Sequence, residues 1–371
     1  MFEVKSNVPL PEALQKKRRR TYPFATMQPG DSFAVPGGRV NANRVAAAAR
    51  YWRLQHGRKF TVGKGPDGVY RCWRTEGVEG RLRGPAHAQP HQAVEGSAMS
   101  CATDYVLGHS DFEMERLQIQ AAALAGITQR LIRECNIQPD MRVLDIGCGA
   151  GDVSMLLAEA VGTSGLVVAI DREARAIETT RSRAEAAGHL NIEAIVATDD
   201  DIQAGGPFDV ALGRYVLLHQ RDPVVMIRRA AATVRPGGVV AFHEVAIQPN
   251  TAQALPRVAL FEQVASAVIA AIVAIVPSPD VAGRLGACFA EAGLPSPHLI
   301  CECIVGDSTS LIVPWYALGY RVMLPHLARL GLEPSSVGDP ETLLERLEAE
   351  LTAVGAQVVS NPQICGWAVR P

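Results

Sequence analysis

The sequence predicts an α/β protein in which a doubly wound parallel sheet is preceded by a small basic α+β domain. Three observations carry this. Between residues 142 and 243, short apolar runs alternate with amphipathic stretches of helical length, as strands linked by crossover helices do. The first run, VLDIGCGAGD at residues 143–152, breaks into Gly147, Gly149 and Gly151, a strand entering a backbone loop. Charge is also divided: residues 1–83 hold 17 Lys+Arg and 6 Asp+Glu, a balance of +11 in a chain that totals −2. Such asymmetry marks a domain boundary and suggests different partners for the two parts. The expected division is a basic domain at residues 1–82, a linker rich in Pro, Gly, Ala, His and Gln at 83–103, and the main domain at 104–371.

The basic domain opens with KKRRR at residues 16–20, five like charges in a polar context that read as a disordered arm. A short strand at 31–36, a helix at 44–55 and a hairpin at 58–73 around Gly65-Pro66-Asp67-Gly68 follow. Tyr51, Trp52, Tyr70 and Trp73 lie among basic residues, a footprint suited to nucleic acid. The same rings serve equally as the core of a very small domain. With its lead-in TYPFATMQPGDSF, the stretch resembles small uncharacterised phage and bacterial proteins, which implies a recurring module and no activity.

In the main domain a helix with apolar Met114, Leu117, Ala121, Leu124, Ile127 and Leu131 leads into the first strand, and Ser110 with Glu113 suits a capping box. Strands are expected at 142–146, 166–170, 192–196, 208–212 and 239–243, with helices at 152–160, 172–187 and 222–234. Right-handed crossovers put the C-terminal ends of parallel strands on one edge, where ligands bind. Without side chains, Gly147 and Gly149 let a ligand approach the backbone, and N–H groups of the next helix receive its acceptors. Asp171 ends the second strand, where a carboxylate can accept ribose hydroxyls. A nucleoside cofactor is therefore expected. The spacing G-x-G-x-G differs from the dinucleotide fingerprint G-x-G-x-x-G, and Asp152 would meet a pyrophosphate. No lysine follows Lys64, so a Tyr-x-x-x-Lys reductase site is absent. A nicotinamide-dependent oxidoreductase is thus the less favoured reading.

VLDIGCGAGD, VVAIDREA, PFDVALGRYVLLHQRDP and RPGGVVAFHE stand in an order and spacing that resembles class I S-adenosylmethionine-dependent methyltransferases, most closely the small-molecule branch related to ubiquinone and menaquinone biosynthesis enzymes. The resemblance implies a seven-stranded Rossmann-like sheet with helical lid insertions, and S-adenosylmethionine as cofactor. It implies that Asp145, Gly147, Gly149 and Gly151 line the methionine part, that Asp171 binds the ribose, and that Arg172 flanks the adenine. The segment YVLGHSDFEMERLQIQ resembles the same branch, in which Tyr105, Arg116 and Gln120 close over the amino-acid end. The family's Gly-Asp after the third strand is replaced by Ala197-Thr198-Asp199-Asp200, leaving Asp199 first and Asp200 second as the adenine partner.

The remainder reads as the substrate half. Residues 255–276 form a strongly apolar helix, a lid, a dimer face or a core element. A helix at 280–292, strands at 298–305 and 363–369, and helices at 315–330 and 340–354 follow, with lid insertions near 250–277 and 310–355. Together these suggest an apolar pocket for a small apolar or aromatic methyl acceptor. His219, His243 and Arg214 fall on the ligand edge; either histidine suits a base or a packing role, and Arg214 could contact cofactor or substrate.

Other classes fit less well. Gly213-Arg214-Tyr215 stands where enzymes of this fold that methylate exocyclic amines of bases carry Pro-Pro-aromatic, no Pro-Cys dipeptide occurs, and the main domain is acidic, so nucleic acid is expected only through residues 1–83, while methylation of a small molecule at O, N or C remains open. A nucleic-acid-binding protein with a methyltransferase-like half is the second alternative. The eight cysteines lack metal-binding spacing, and no apolar run reaches the ~20 residues of a membrane span. No metal, no membrane association and a cytoplasmic setting are expected.

Overall fold

The computed structural model describes residues 27–28, 31–35, 60–64, 69–74, 111–198, 202, 205–334 and 336–371. The expected helix at 44–55, the basic arm, the linker, the Ser110/Glu113 cap, Tyr105, Asp199 and Asp200 lie outside the residues so described. The chain divides into two compact units, Met1–Tyr105 and Val106–Pro371.

In the first unit, β1 (Ser32–Ala34), β2 (Phe60–Lys64) and β3 (Tyr70–Arg74) form an antiparallel sheet in the order β1-β3-β2. Alternation places Phe33 and Cys72 opposite one another on the buried face. Met27 and Val35 are buried as well, and Trp73 and Tyr70 are half-buried.

The second unit is built on a seven-stranded sheet. Helix α1 (Asp111–Glu134) is followed by β4 (Arg142–Ile146), α2 (Asp152–Val161), β5 (Leu166–Asp171), α3 (Ala174–Ala187), β6 (Ile192–Val196), β7 (Phe208–Arg214), α4 (Pro223–Thr233) and β8 (Val234–Val245). Next come β9 (Gln253–Leu255), α5 (Ala259–Ile275), α6 (Leu285–Glu291), β10 (His298–Glu302), β11 (Val305–Gly306), α7 (Ile312–Leu330), α8 (Leu343–Ala353), β12 (Gln357–Val359) and β13 (Gln363–Val369). The order is β10-β13-β8-β7-β4-β5-β6, and β13 runs antiparallel to both of its neighbours.

Central strands are apolar on both faces because both are covered. Val143, Val167, Leu212 and Ala241 pack under α1 and α2; Leu144, Val168, Ala211 and Phe242 pack under α4 and α6. Asp222 caps α4 by accepting the Val225 N–H at 3.1 Å, with Pro223 opening the helix.

The expected insertions turn out to share a core of their own. Helices α5, α7 and α8 bury Phe261, Val264, Tyr316, Leu327, Leu347 and Val358 together. Strands β9, β11 and β12 close this core in a small antiparallel sheet ordered β11-β12-β9, which the sequence reading did not foresee. The single strand expected at 298–305 is divided between the two sheets. The chain leaves the large sheet after Glu302, and Ser360 holds the break at Ile304, donating its N–H to the Ile304 carbonyl and accepting the Ile304 N–H on Oγ. The helix expected at 280–292 is likewise a 3-10 turn, Val281–Arg284, followed by α6.

Candidate functional site

The loop after β4 has the backbone that its glycines allow. Gly147, Gly149 and Gly151 have φ of +66°, +54° and +81°, the left-handed region that costs other residues roughly 1–2 kcal/mol. A Cβ at Gly147 would stand 2.9 Å from Val216 Cγ2, and one at Gly151 would stand 2.8 Å from Thr180. At Gly149 it would meet nothing within 4 Å. The outer two glycines are therefore required by packing, whereas the middle one faces open space.

Helix α3 fastens the loop. Thr180 donates to the Gly149 carbonyl at 2.9 Å, and Arg183 donates to the Ala150 carbonyl and, at 2.6 Å, to Asp152. Asp152 thus already has a cationic partner; the spacing of the glycines, more than its charge, sets this loop apart from a dinucleotide cradle. Asp171, ending β5, accepts the Gly149 N–H on one oxygen and the Glu173 N–H on the other, both at 2.9 Å. Each oxygen keeps a further lone pair for a ligand hydroxyl.

Asp145 lies beneath the loop, 1% exposed, and accepts from Ser154 Oγ at 2.5 Å. Burial pushes its carboxyl up to about 7, against the pull of that hydroxyl and of Arg214. Arg214, at the end of β7, donates to Thr128 of α1 at 3.2 Å. Arg116 and Gln120, one turn apart on α1, are both buried and bonded to each other at 2.8 Å. His219 ends the 3-10 turn Leu217–His219 after β7, where burial, then Arg172, then Arg116 push its pKa down to about 4. The fold therefore gathers Arg116, Arg172 and His219, and separately Asp145, Arg214 and His243, at the C-terminal ends of the parallel strands. Arg172 itself is exposed, 3.9 Å from Glu173.

His243 is fully buried, and its pKa is lowered to about 3, chiefly by burial and then by Arg214. Its Nε2 is 3.1 Å from Gln363 Oε1, which also accepts from Tyr215 Oη at 2.6 Å. Gln363 Nε2 donates to the Asn361 carbonyl at 3.0 Å, which fixes Oε1 as an acceptor and hence Nε2 of His243 as the protonated nitrogen. Nδ1 keeps its lone pair and has no hydrogen-bond partner among the described residues. Tyr316 of α7 donates to Asn361 Oδ1, so the network ties the sheet edge to the second core.

Ser154, Thr128, Thr180, Arg183 and Gln363 were not singled out from the sequence. Apart from Ser154, nine residues from Asp145, they reach partners remote in the chain, and only Gln363, a polar residue opening the apolar run QICGWAV, leaves a local trace.

Among the described residues, no group of three or more His, Cys, Asp or Glu side chains is placed to hold a metal, and no helix is long and apolar enough to cross a membrane. Residues 137–280 match a family model described as "Methyltransferase domain". With the sheet order and the glycine loop, this assigns residues 137–280 to a methyltransferase domain of the S-adenosylmethionine-dependent class I kind, for which S-adenosylmethionine is the expected cofactor.

Among curated relatives, the chain is 35% identical over 127 residues to the ubiquinone biosynthesis O-methyltransferase of Nitrobacter winogradskyi, covering 34% of this chain and 47% of that one. It is 36% identical over 118 residues to the aklanonic acid methyltransferase of a Streptomyces species, covering 31% and 53%. The chain spans about half the length of these relatives. Among solved structures it is similar to the YcgJ protein of Bacillus subtilis, with 15% identity, a TM-score of 0.46, and coverage of 66% of this chain and 99% of that one.

Proposed function

We propose that this protein transfers a methyl group from S-adenosylmethionine to a small apolar or aromatic molecule, with the division at 1–82, 83–103 and 104–371 separating a basic module from the enzyme. The observation that carries this is the cradle itself: Gly149 opens onto free space at φ +54°, and Asp171 is bonded to its N–H. The residues present fit a nucleoside. Backbone groups of the 147–151 loop would take the amino-acid end, Asp171 the ribose hydroxyls, and Arg116 with Gln120 the carboxylate. Arg172, with Asp199 and then Asp200, is assigned to the adenine side. Bound there, the cofactor supplies an electrophilic methyl group on a sulfonium.

The chain's own contribution is alignment and exclusion of water, and such proximity is worth roughly 7–11 kcal/mol. His219 and His243 are neutral at pH 7 with conjugate acids near pH 4 and 3. Such weak bases do not carry a proton away; His219, the less buried of the two, would orient an acceptor hydroxyl by accepting its hydrogen bond, and fully buried His243 serves the Gln363 network instead. Arg214, beside Asp145 and His243, adds a fixed positive charge at the same edge. The names of the ubiquinone-biosynthesis and aklanonic acid enzymes support a small-molecule acceptor.

Calorimetry of the full chain with S-adenosylhomocysteine, and with NADH for comparison, tests the reading. Micromolar binding of the former alone is expected; binding of NADH alone overturns it. Mass spectrometry for a gained methyl group then identifies the acceptor. A second reading rests on the +11 balance of residues 1–83: nucleic acid is bound there for a separate purpose. A salt-dependent gel shift that disappears when KKRRR is neutralised is its test, and no shift at low salt removes it.

A further inference from the structure

We propose that Glu244 is a positioning residue that makes the turn after β7 and the cofactor loop one rigid piece. Glu244 is fully buried at the end of β8, on the sheet face opposite His243. Among the described residues it has no ion-pair partner. Its carboxyl group, which burial pushes up to about 8 against the pull of these bonds, instead accepts three consecutive backbone N–H groups, those of Val216 at 2.9 Å, Leu217 at 2.8 Å and Leu218 at 3.4 Å. These are the donors that the opening of a short helical turn leaves unsatisfied. A neighbouring strand thus supplies the cap that the turn's own residues, Val216 and Leu217, cannot.

The turn would not stay in place by local preference. Tyr215 immediately before it has φ +58°, an unusual value for an aromatic residue, and is held by its N–H to the His243 carbonyl at 2.8 Å. What the carboxylate fixes extends in two directions. Val216 is held against both Gly147 and Gly213, close enough that a Cβ added at the first would be 2.9 Å and at the second 3.1 Å from its Cγ2. At the far end His219 is held beside Arg116 and Arg172. One buried acid therefore sets both the first glycine of the cofactor loop and the histidine on the acceptor edge. The three N–H bonds offset the cost of burying this group only in part, so its place in the core answers to the turn that depends on it. The Glu244–turn contact is independent of any ligand; its consequence for the cofactor rests on the methyltransferase reading.

The test uses the full chain with Glu244→Leu, Glu244→Gln and Glu244→Asp, and Leu347→Ala in the second core as an equally folded but destabilised control. The first readout is the titration of the His219 ring by NMR without ligand. The wild type is expected to titrate near pH 4, and Glu244→Leu to move the midpoint up by at least about one pH unit toward the ordinary 6.5. Glu244→Gln, which keeps one acceptor oxygen, should shift it by less than about half that, and Leu347→Ala not at all. The second readout is affinity for S-adenosylhomocysteine, expected to fall roughly tenfold or more in Glu244→Leu and under about threefold in Glu244→Gln. Should Glu244→Leu not fold, Glu244→Asp, one methylene too short to reach all three donors, replaces it with a smaller shift in the same direction. An unmoved His219 in folded Glu244→Leu or Glu244→Asp, or an equal shift in Leu347→Ala, overturns the proposal. Failure of the wild type to bind S-adenosylhomocysteine would instead strike the methyltransferase reading, and the His219 titration would still decide the role of Glu244.

Discussion

The two halves of the larger unit solve different problems. The half from β4 to β8 is organised by backbone: three glycines in the left-handed region, a strand-end carboxylate bonded to the loop, and Thr180 and Arg183 clamping it from outside. The half containing α5, α7 and α8 is organised by side chains packed into a separate core, closed by a three-stranded sheet and joined to the first through Tyr316, Asn361, Gln363 and His243. Geometry fixed by backbone tolerates little change and suits a cofactor of constant shape. A side-chain core can be repacked, and it suits the part that varies with substrate.

Substitutions in the two halves should therefore separate binding from stability. The largest effect is expected at Gly149→Val, which adds a side chain at φ +54° into the open cradle. Affinity for S-adenosylhomocysteine should fall by roughly two orders of magnitude with a stability loss of about 1–2 kcal/mol. A loss under about fivefold in calorimetry would show that the cofactor does not lie there. Leu347→Ala, fully buried in the second core, should do the opposite, costing about 2–5 kcal/mol in urea unfolding with affinity unchanged. Parallel changes in both quantities for both variants would dissolve the distinction.

A smaller effect is expected where the halves are joined. Tyr316→Phe removes the hydrogen bond to Asn361 and should lower stability by about 1–2 kcal/mol while raising KM for the acceptor more than that for the cofactor. Equal increases in both constants would show that the network serves the whole domain alike.

The pH dependence sharpens the same contrast. Asp145, with its carboxyl raised to about 7 by burial, is protonated below that pH in the free protein. A cationic ligand favours the ionised form, so affinity for S-adenosylmethionine should weaken several-fold from pH 7.5 to 5.5, and Asp145→Asn should flatten the dependence. No change with pH in the wild type would remove Asp145 from the cofactor site. The smallest effect is reserved for the histidines. Both pKa values are depressed, so both rings stay neutral from pH 5 upward, and kcat/KM should carry no limb from either between pH 6 and 8. A limb near 6.5 that vanishes in His219→Gln would restore a proton-transferring role.

Much of the backbone-organised half was legible because backbone demands leave marks in residue type. Only glycine takes φ +66°, +54° and +81° in succession with Val216 and Thr180 so close, and the carboxylate of Asp171 falls at the end of an apolar run. The capping of a turn by Glu244 leaves no such mark, because a carboxylate bonded to backbone N–H groups 26 to 28 residues away constrains none of their side chains. Arg183 and Asp152, 31 residues apart, are equally silent. Strands β9 and β11, of three and two residues, are too short for alternation to show. They exist because residues from three distant segments meet over one core. Residues 298–305 resemble one strand in sequence for a related reason: β-compatible residues continue past Glu302 through Ile304, which turns to pack on the second core.

The insertion of β13 between β8 and β10 has a consequence for how the chain comes to be folded. Until residues 363–369 arrive, both neighbours present an open hydrogen-bonding edge, and β8 is a long and largely buried strand. On the ribosome, where synthesis runs at roughly 5–20 residues per second, everything upstream must wait with that edge unsealed. Strand β12, needed to close the small sheet, comes from the same late stretch of chain. The two cores are thus completed almost together, by neighbouring segments delivered more than a hundred residues after β8. Assembly of this fold is a closing step more than a gradual accretion, and its most exposed moment is the interval before β12 and β13 join their sheets.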